Sequence, residues 1–261
     1  MKYTLLFFIL IIFSCSSGQS EKVNEPLANA AQVVPLPYHP ELVPKGKIVH
    51  RGIFSNDLQQ YYITVSDTSF TQFDVLVSQQ IDGQWTQPEE AFFNSNSNNH
   101  GMSFSPNGNE LFFTSTRPYG LTVKNWQLYW SQIIDGQWSE PSLIEISSME
   151  SWHVLHPTKA PDGTLYFQAS DLNYSKLGIY YAKFKNGRLE APKKLNFNEL
   201  KDKDLCTPYV SADGQYLFFA TVGPQLDLYY CKSTGENQWS APVRLPEAIN
   251  QNGQGNPYLT P

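Results

Sequence analysis

Apolar residues in this chain fall into short blocks separated by Asn, Asp, Gly and Pro, and the blocks recur. Residues 54–64 (FSNDLQQYYIT), 104–114 (FSPNGNELFFT), 159–168 (KAPDGTLYFQ) and 210–220 (VSADGQYLFFA) share one order, a polar turn followed by an aromatic-rich run. The turn residue is Asp57, Asn107, Asp162 and Asp213, giving steps of 50, 55 and 51 residues. Asn-Gly and Asp-Gly are strong hairpin signals, since a two-residue type I′ turn needs positive φ at both positions. Leu58 stands where the other units have Gly, which makes the first hairpin the weakest.

A third block follows each hairpin: 74–78 (DVLVS), 127–131 (QLYWS), 178–182 (GIYYA) and 227–231 (DLYYC). A turn then leads into 82–88 (DGQWTQP), 135–141 (DGQWSEP), 186–192 (NGRLEAP) and 236–242 (ENQWSAP). Each unit therefore predicts four short strands and no helix. Four-stranded antiparallel sheets at this period are the blades of a β-propeller, so the predicted class is all-β. The S-x-D-G-x-x-L-x-F core and the closing G-x-W-S-x-P resemble the TolB-type, WD-repeat-like propellers of bacterial envelope proteins, over about residues 40–261. That resemblance implies a fold and is nearly silent on activity, because propellers host many.

Residues 256–261 (NPYLTP) align with 207–212 (TPYVSA) and so open a fifth repeat. Residues 40–49 (PELVPKGKIV) resemble the fourth strand of a blade, as in 242–249 (PVRLPEAI). The expectation is four full repeats plus a partial fifth, a five-bladed ring if complete, with roughly 30–40 further residues after 261.

Composition agrees with this pattern. The 15 Tyr, 16 Phe and 6 Trp favour strands. A formal charge of −6 with no basic run argues against a phosphate backbone as partner, so nucleic acid is not expected. Three cysteines in no CxxC or Cys/His cluster imply neither a disulfide scaffold nor structural zinc. Cys206 and Cys231 fall on a first and a third strand, which argues against a bond between them.

The N-terminus reads as an address. Lys2 precedes the apolar run Leu5–Phe13, too short to span a bilayer comfortably, and the run ends Ile12-Phe13-Ser14-Cys15. This resembles the lipobox of bacterial lipoproteins. It implies a signal peptide over 1–14, diacylglyceryl attachment at Cys15 and a place in the bacterial envelope, on the periplasmic face or the cell surface. An ordinary signal peptide with an incidental cysteine is the alternative. Residues 15–32 are polar and aperiodic, a flexible tether, leaving 33–261 as the propeller domain.

In a propeller the first strand of each blade lines the central channel. The repeat alignment places Arg51, Gly101, His156, Thr207 and Asn256 at equivalent positions there, with His50 and His100 one residue earlier. These positions vary between units while the aromatic ones do not, so Arg51, His100, His156, Thr207 and Asn256 are the candidate ligand-binding residues of the channel mouth; solvated loop residues are the plain alternative. His153 and His156 are three apart, on opposite faces of a strand, which argues against shared metal ligation. Trp85, Trp138 and Trp239 recur at one repeat position and read as packing, whereas Trp126, Trp152 and Tyr119 do not recur and could stack on sugar rings. Asp171, Asp204 and Glu150 lie in connecting segments, and nothing pairs them as catalytic carboxyls. No nucleophile elbow, H-E-x-x-H, P-loop or dinucleotide fingerprint occurs, so no catalytic residue, cofactor or metal is assigned. The reading is a membrane-tethered, non-enzymatic module for an envelope protein or glycan. The alternative is a carbohydrate-active hydrolase or lyase using the same mouth.

Overall fold

The computed structural model describes residues 36–119, 125–251, 253 and 255–260; the lipobox, Cys15 and the 15–32 tether lie outside them. It is an all-β propeller of four sheets, as the repeat implies. Blade 1 holds β1 (Ile48–Phe54), β2 (Gln60–Ser66) and β3 (Phe73–Ile81), then β4 (Gln84–Trp85) and β5 (Glu89–Glu90). Blade 2 follows with β6 (Asn99–Phe104), β7 (Glu110–Ser115), β8 (Gln127–Ile134), β9 (Gln137–Trp138) and β10 (Ser142–Leu143). The short β11 (Glu145–Ile146) crosses to blade 3, which comprises β12 (His153–Lys159), β13 (Thr164–Ser170), β14 (Gly178–Lys185), β15 (Arg188–Leu189) and β16 (Lys193–Lys194). Blade 4 is β17 (Leu205–Val210), β18 (Tyr216–Thr221), β19 (Asp227–Gly235), β20 (Gln238–Trp239) and β21 (Val243–Arg244).

In every blade the outermost strand is two short pieces, both paired with the third strand. The break falls at Pro88, Pro141, Pro192 and Pro242, where a ladder donor is missing. β11 runs parallel to β15 and so stitches blade 2 to blade 3.

The sheets bury their faces against one another. Ile53, Val75 and Phe93 of blade 1 meet Met102, Leu111 and Phe113 of blade 2. Phe112 and Leu128 meet Val154, Leu165 and Phe167 across the next interface, and Tyr166 and Ile179 meet Leu217 and Phe219 across the third. Each such side chain contributes about 1.5–3 kcal/mol by leaving water, which is why no blade is stable alone. Trp85, Trp138 and Trp239 are half-buried against these clusters and the one on the outer face of blade 1.

Two expectations change. Residues 40–49 are not a single strand: Pro40–Leu42 form a 3-10 turn, and strand geometry begins only at Ile48. The turn meets its backbone bonds locally, Leu42 N–H to His39 C=O and Val43 N–H to Pro40 C=O, and Leu42 covers Tyr61, Ile63 and Val65. The type I′ turn is also displaced. In the inner hairpins only Leu58, Gly108, Gly163 and Gly214 have positive φ. The two-residue positive-φ pair sits instead in the outer hairpins, at Asp82-Gly83, Asp135-Gly136 and Asn186-Gly187.

Residues 255–260 form no strand but lie between blades 1 and 4. Tyr258 Oη accepts from Phe54 N–H (3.3 Å) and donates to Phe54 C=O (3.2 Å), while Tyr209 Oη donates to Leu259 C=O (2.7 Å).

Candidate functional site

Each inner strand must bend toward the axis, and each does so at a bulge. The ladder breaks at 49/51, 100/103, 155/158 and 206/209 in blades 1 to 4. The kink residue is left-handed in three of them: Gly101 (φ 57), His156 (φ 51) and Thr207 (φ 48); Asn256 (φ 55) repeats the geometry in the C-terminal segment. A left-handed φ is ordinary for Gly and strained for the others, most of all for β-branched Thr. Gly101 is required for a second reason: a Cβ there would sit 3.0 Å from His156 Nδ1.

The bends bring the aligned residues together. The rings of His50 and His100 lie 5.6 Å apart and those of His100 and His156 4.9 Å apart. Arg51 lies close enough to depress the pKa of both His100 and His156. Arg51, His100, His156 and Thr207 are buried. Asn256 is half-buried and donates from Nδ2 to His50 C=O (3.1 Å). Arg51 Nε, His100 Nδ1, His156 Nδ1, Thr207 Oγ1 and Asn256 Oδ1 are buried with no hydrogen-bond partner among the described residues. Native interiors leave few such groups, and each one asks for an explanation.

The charge there is equally unusual. Arg51 is 4% exposed and has no ion-pair partner among the described residues; its one hydrogen bond is a long contact from Nη2 to Pro257 C=O (3.4 Å). Burial lowers its pKa to about 10, so it stays protonated at neutral pH. Burial holds His100 down to about 3 and His156 well below its ordinary value, with neighbouring cationic groups adding to both effects, so both imidazoles are neutral. The phenols of Tyr209 and Tyr258, the other groups facing Arg51, are pushed up and remain uncharged. Among the described residues the axis therefore carries one positive charge, Arg51, and no Asp or Glu is buried to balance it.

Above this floor is an aromatic rim that the repeat does not reveal. His50 packs against Phe70 (5.7 Å) and Phe73 (5.1 Å), and Trp126 packs on Phe73 (5.8 Å) and His100 (6.1 Å). Phe70 is 56% exposed and holds φ 55, an outlier for a bulky residue. Phe70 lies in the connection between β2 and β3 and Phe73 opens β3, both outside the repeat blocks, so the repeat alignment does not bring them to the site.

Other candidates go elsewhere. His153 stacks on Tyr174 (5.4 Å) and does not join His156. Trp152 packs on Tyr180 in the blade 2–3 core, and Tyr119 is exposed. Asp171 caps its own loop through Ser175, and Glu150 accepts from Ser148 N–H (3.2 Å). Cys206 and Cys231 are buried free thiols. Among the described residues no group of three or more His, Cys, Asp or Glu is placed to hold a metal. A cleft of about 580 Å³ between blades 2 and 3 is lined by Arg117, Glu145 and Arg188 among others. Arg188 there is paired with Glu145 (2.6 Å), and Arg117, which has no carboxylate partner among the described residues, donates to Phe93 C=O (2.5 Å), Asn99 Oδ1 (3.0 Å) and Ser115 Oγ (3.1 Å), whereas Arg51 has one long contact.

The fold is shared with solved propellers. TolB from Acinetobacter baumannii superposes with a TM-score of 0.49 at 16% identity, over 77% of this chain and 45% of its own. An Agrobacterium tumefaciens protein solved as a TolB candidate gives 0.50 at 16% identity, over 82% of this chain and 66% of its own. A thermostable family-43 glycoside hydrolase gives 0.48 at 15% identity, over 78% and 77%. This chain thus spans less than half the length of the Acinetobacter protein, and at these identities the likeness is one of fold. No protein-family model and no curated protein matches the sequence.

Proposed function

We propose that this chain is a bacterial envelope binding module, held to a membrane through a lipid on Cys15, whose ligand seats at the propeller axis. The observation that carries the reading is the set of five unpartnered polar atoms on Arg51, His100, His156, Thr207 and Asn256, contributed by five separate segments. Unmet donors and acceptors are what a ligand satisfies, and rigid strands hold them in place beforehand. Binding is favoured over hydrolysis because glycosidases set two carboxyl groups about the scissile bond, whereas the described axis residues supply an arginine, two neutral histidines, a hydroxyl and an amide.

Two experiments test this. Labelled palmitate should enter the wild-type chain and not Cys15→Ser, with the variant leaving the membrane fraction; unchanged membrane association would end the anchor reading. A panel of envelope polysaccharides should yield a ligand that is retained without product, and His156→Gln should weaken retention. Turnover of any of them would overturn the non-enzymatic assignment.

A further inference from the structure

We infer that the axial site selects a carboxylate-bearing sugar, with the acid group on Arg51 and the ring against the aromatic rim. This rests on the reading above that the ligand seats at the axis, and it adds the chemical class.

Three features converge on that class. Arg51 is a buried cation with no anion beside it, its Nε–H is unused, and its Nη2 is held only by the long contact to Pro257 C=O. Leaving a buried charge unpaired is strongly unfavourable, and an entering anion removes that penalty. The side-on edge of a guanidinium matches the two oxygens of a carboxylate.

A bare anion leaves the rest unexplained. Asn256 Oδ1 accepts only, so it needs a donor, and the Thr207 hydroxyl lies beside the weak Cys206 thiol with no oxygen or nitrogen partner. The Nδ1 atoms of His100 and His156 can take either role by tautomer. A ligand with hydroxyls as well as an acid group meets this set. Above it stand Phe70, Phe73 and Trp126, exposed or half-buried faces of the kind on which a sugar ring stacks.

The chain's overall charge of −6 sharpens the point. Long-range steering would repel an acidic ligand, so selection must come from the local contact. Buried pairs are weakly screened, and acid-sugar binding should therefore depend little on salt.

The test is calorimetric titration of the purified full chain with digalacturonate, neutral galactobiose and inorganic phosphate. Digalacturonate is expected to bind at least about 30-fold more tightly than galactobiose, the scale of one charge-assisted bidentate contact. Phosphate should bind more weakly than digalacturonate. Arg51→Met should abolish the acid preference, and Phe70→Ala should weaken the binding of both sugars alike. Arg51→Lys guards against misfolding of the Arg51→Met variant: it keeps a cation at the buried position and loses the paired N–H edge, so the melting temperature should stay near that of the wild type while the preference for digalacturonate falls.

Equal affinity for the two sugars, no binding of either, phosphate binding as tightly as digalacturonate, or an acid preference that survives Arg51→Met would each overturn the inference. If a neutral ligand or a protein depends on His156 and Thr207 but not on Arg51, the acid-sugar class falls and axial binding stands. If no axial substitution affects any ligand, both fall.

Discussion

Acid should destabilise this propeller above the range where its carboxylates titrate, through His100 and His156. Both are buried beside Arg51 and unprotonated in the folded chain, His100 with its pKa at about 3 and His156 well below 6.5. The unfolded chain has histidines near 6.5. Between those limits it binds two protons that the folded chain refuses, so stability falls as pH falls. Each histidine that stays neutral in the folded chain removes on the order of 1 kcal/mol per pH unit below 6.5, so the two together remove a few kcal/mol by pH 4.5. That is a sizeable share of the roughly 5–15 kcal/mol typical of a domain. His50 and His153, also lowered by burial but partly exposed, act in the same direction. Asp57, Asp67, Asp162 and Asp171 are held below 3.8 by hydrogen bonds or ion pairs, so their contribution is lost only at lower pH. Urea titrations of the wild type and of the double variant His100→Gln, His156→Gln at pH 7 and pH 4.5 read this directly. The wild type should lose several kcal/mol and the double variant much less. A wild-type loss under about 1 kcal/mol, or an equal loss in both proteins, would refute the picture of two neutral histidines held beside a buried cation.

Leu58→Gly should raise the unfolding free energy by about 0.5–1 kcal/mol, since Leu58 is exposed and holds φ 59 in a turn that Gly fills without strain; a lower melting temperature would count against it. Thr207→Gly should stabilise by about 1 kcal/mol for the same reason while weakening ligand binding, with melting and titration read on one preparation. Tyr258→Phe should cost about 1 kcal/mol in urea by removing both contacts to the Phe54 backbone. Cys206 and Cys231, buried with their thiols pushed up to about 11 and about 12, should resist a thiol reagent at pH 8 until the chain unfolds. Rapid labelling of the native protein would contradict that.

The fold was legible because the repeat fixes which side chains face a neighbouring blade: Leu111, Leu165 and Leu217 occupy corresponding positions and meet the preceding blade, while Phe112 and Tyr166 correspond and meet the following one. The turn chemistry was misread for a local reason. In the inner hairpins the serine at the start of the loop does the work. Ser55, Ser105 and Ser211 accept through Oγ from the N–H five residues on and donate to the Asp or Asn two residues on, so the loop closes with a single left-handed residue. Ala160 lacks the hydroxyl, and its loop keeps only the bond common to all four units, in which the Asp or Asn accepts from the N–H two residues on, here Thr164 N–H to Asp162. The S-x-[DN] spacing that carries this was present in three units. Repeat alignment also placed the axis residues, since it transfers register from one inner strand to the next. It could not show that Arg51 lacks a counter-charge, because that depends on where every acidic side chain lies in space. Phe70 and Phe73 escaped because they lie outside the repeated blocks.

The strain on the axis separates a demand of the fold from a demand of the site. The inner strands of blades 2 to 4 and the C-terminal segment turn through the same left-handed kink where they approach the centre, and Gly101 shows that glycine meets that demand unaided. Were bending all that mattered, glycine would suit the other three positions equally well. Histidine, threonine and asparagine stand there instead, the β-branched threonine at a penalty of about 1–2 kcal/mol and the other two at a smaller one, and each leaves a buried polar atom unpaired. The fold gains nothing from either feature. Both become intelligible once a ligand supplies the missing partners, because the kink then holds each side chain toward the axis while the surrounding strands keep the strained backbone from relaxing.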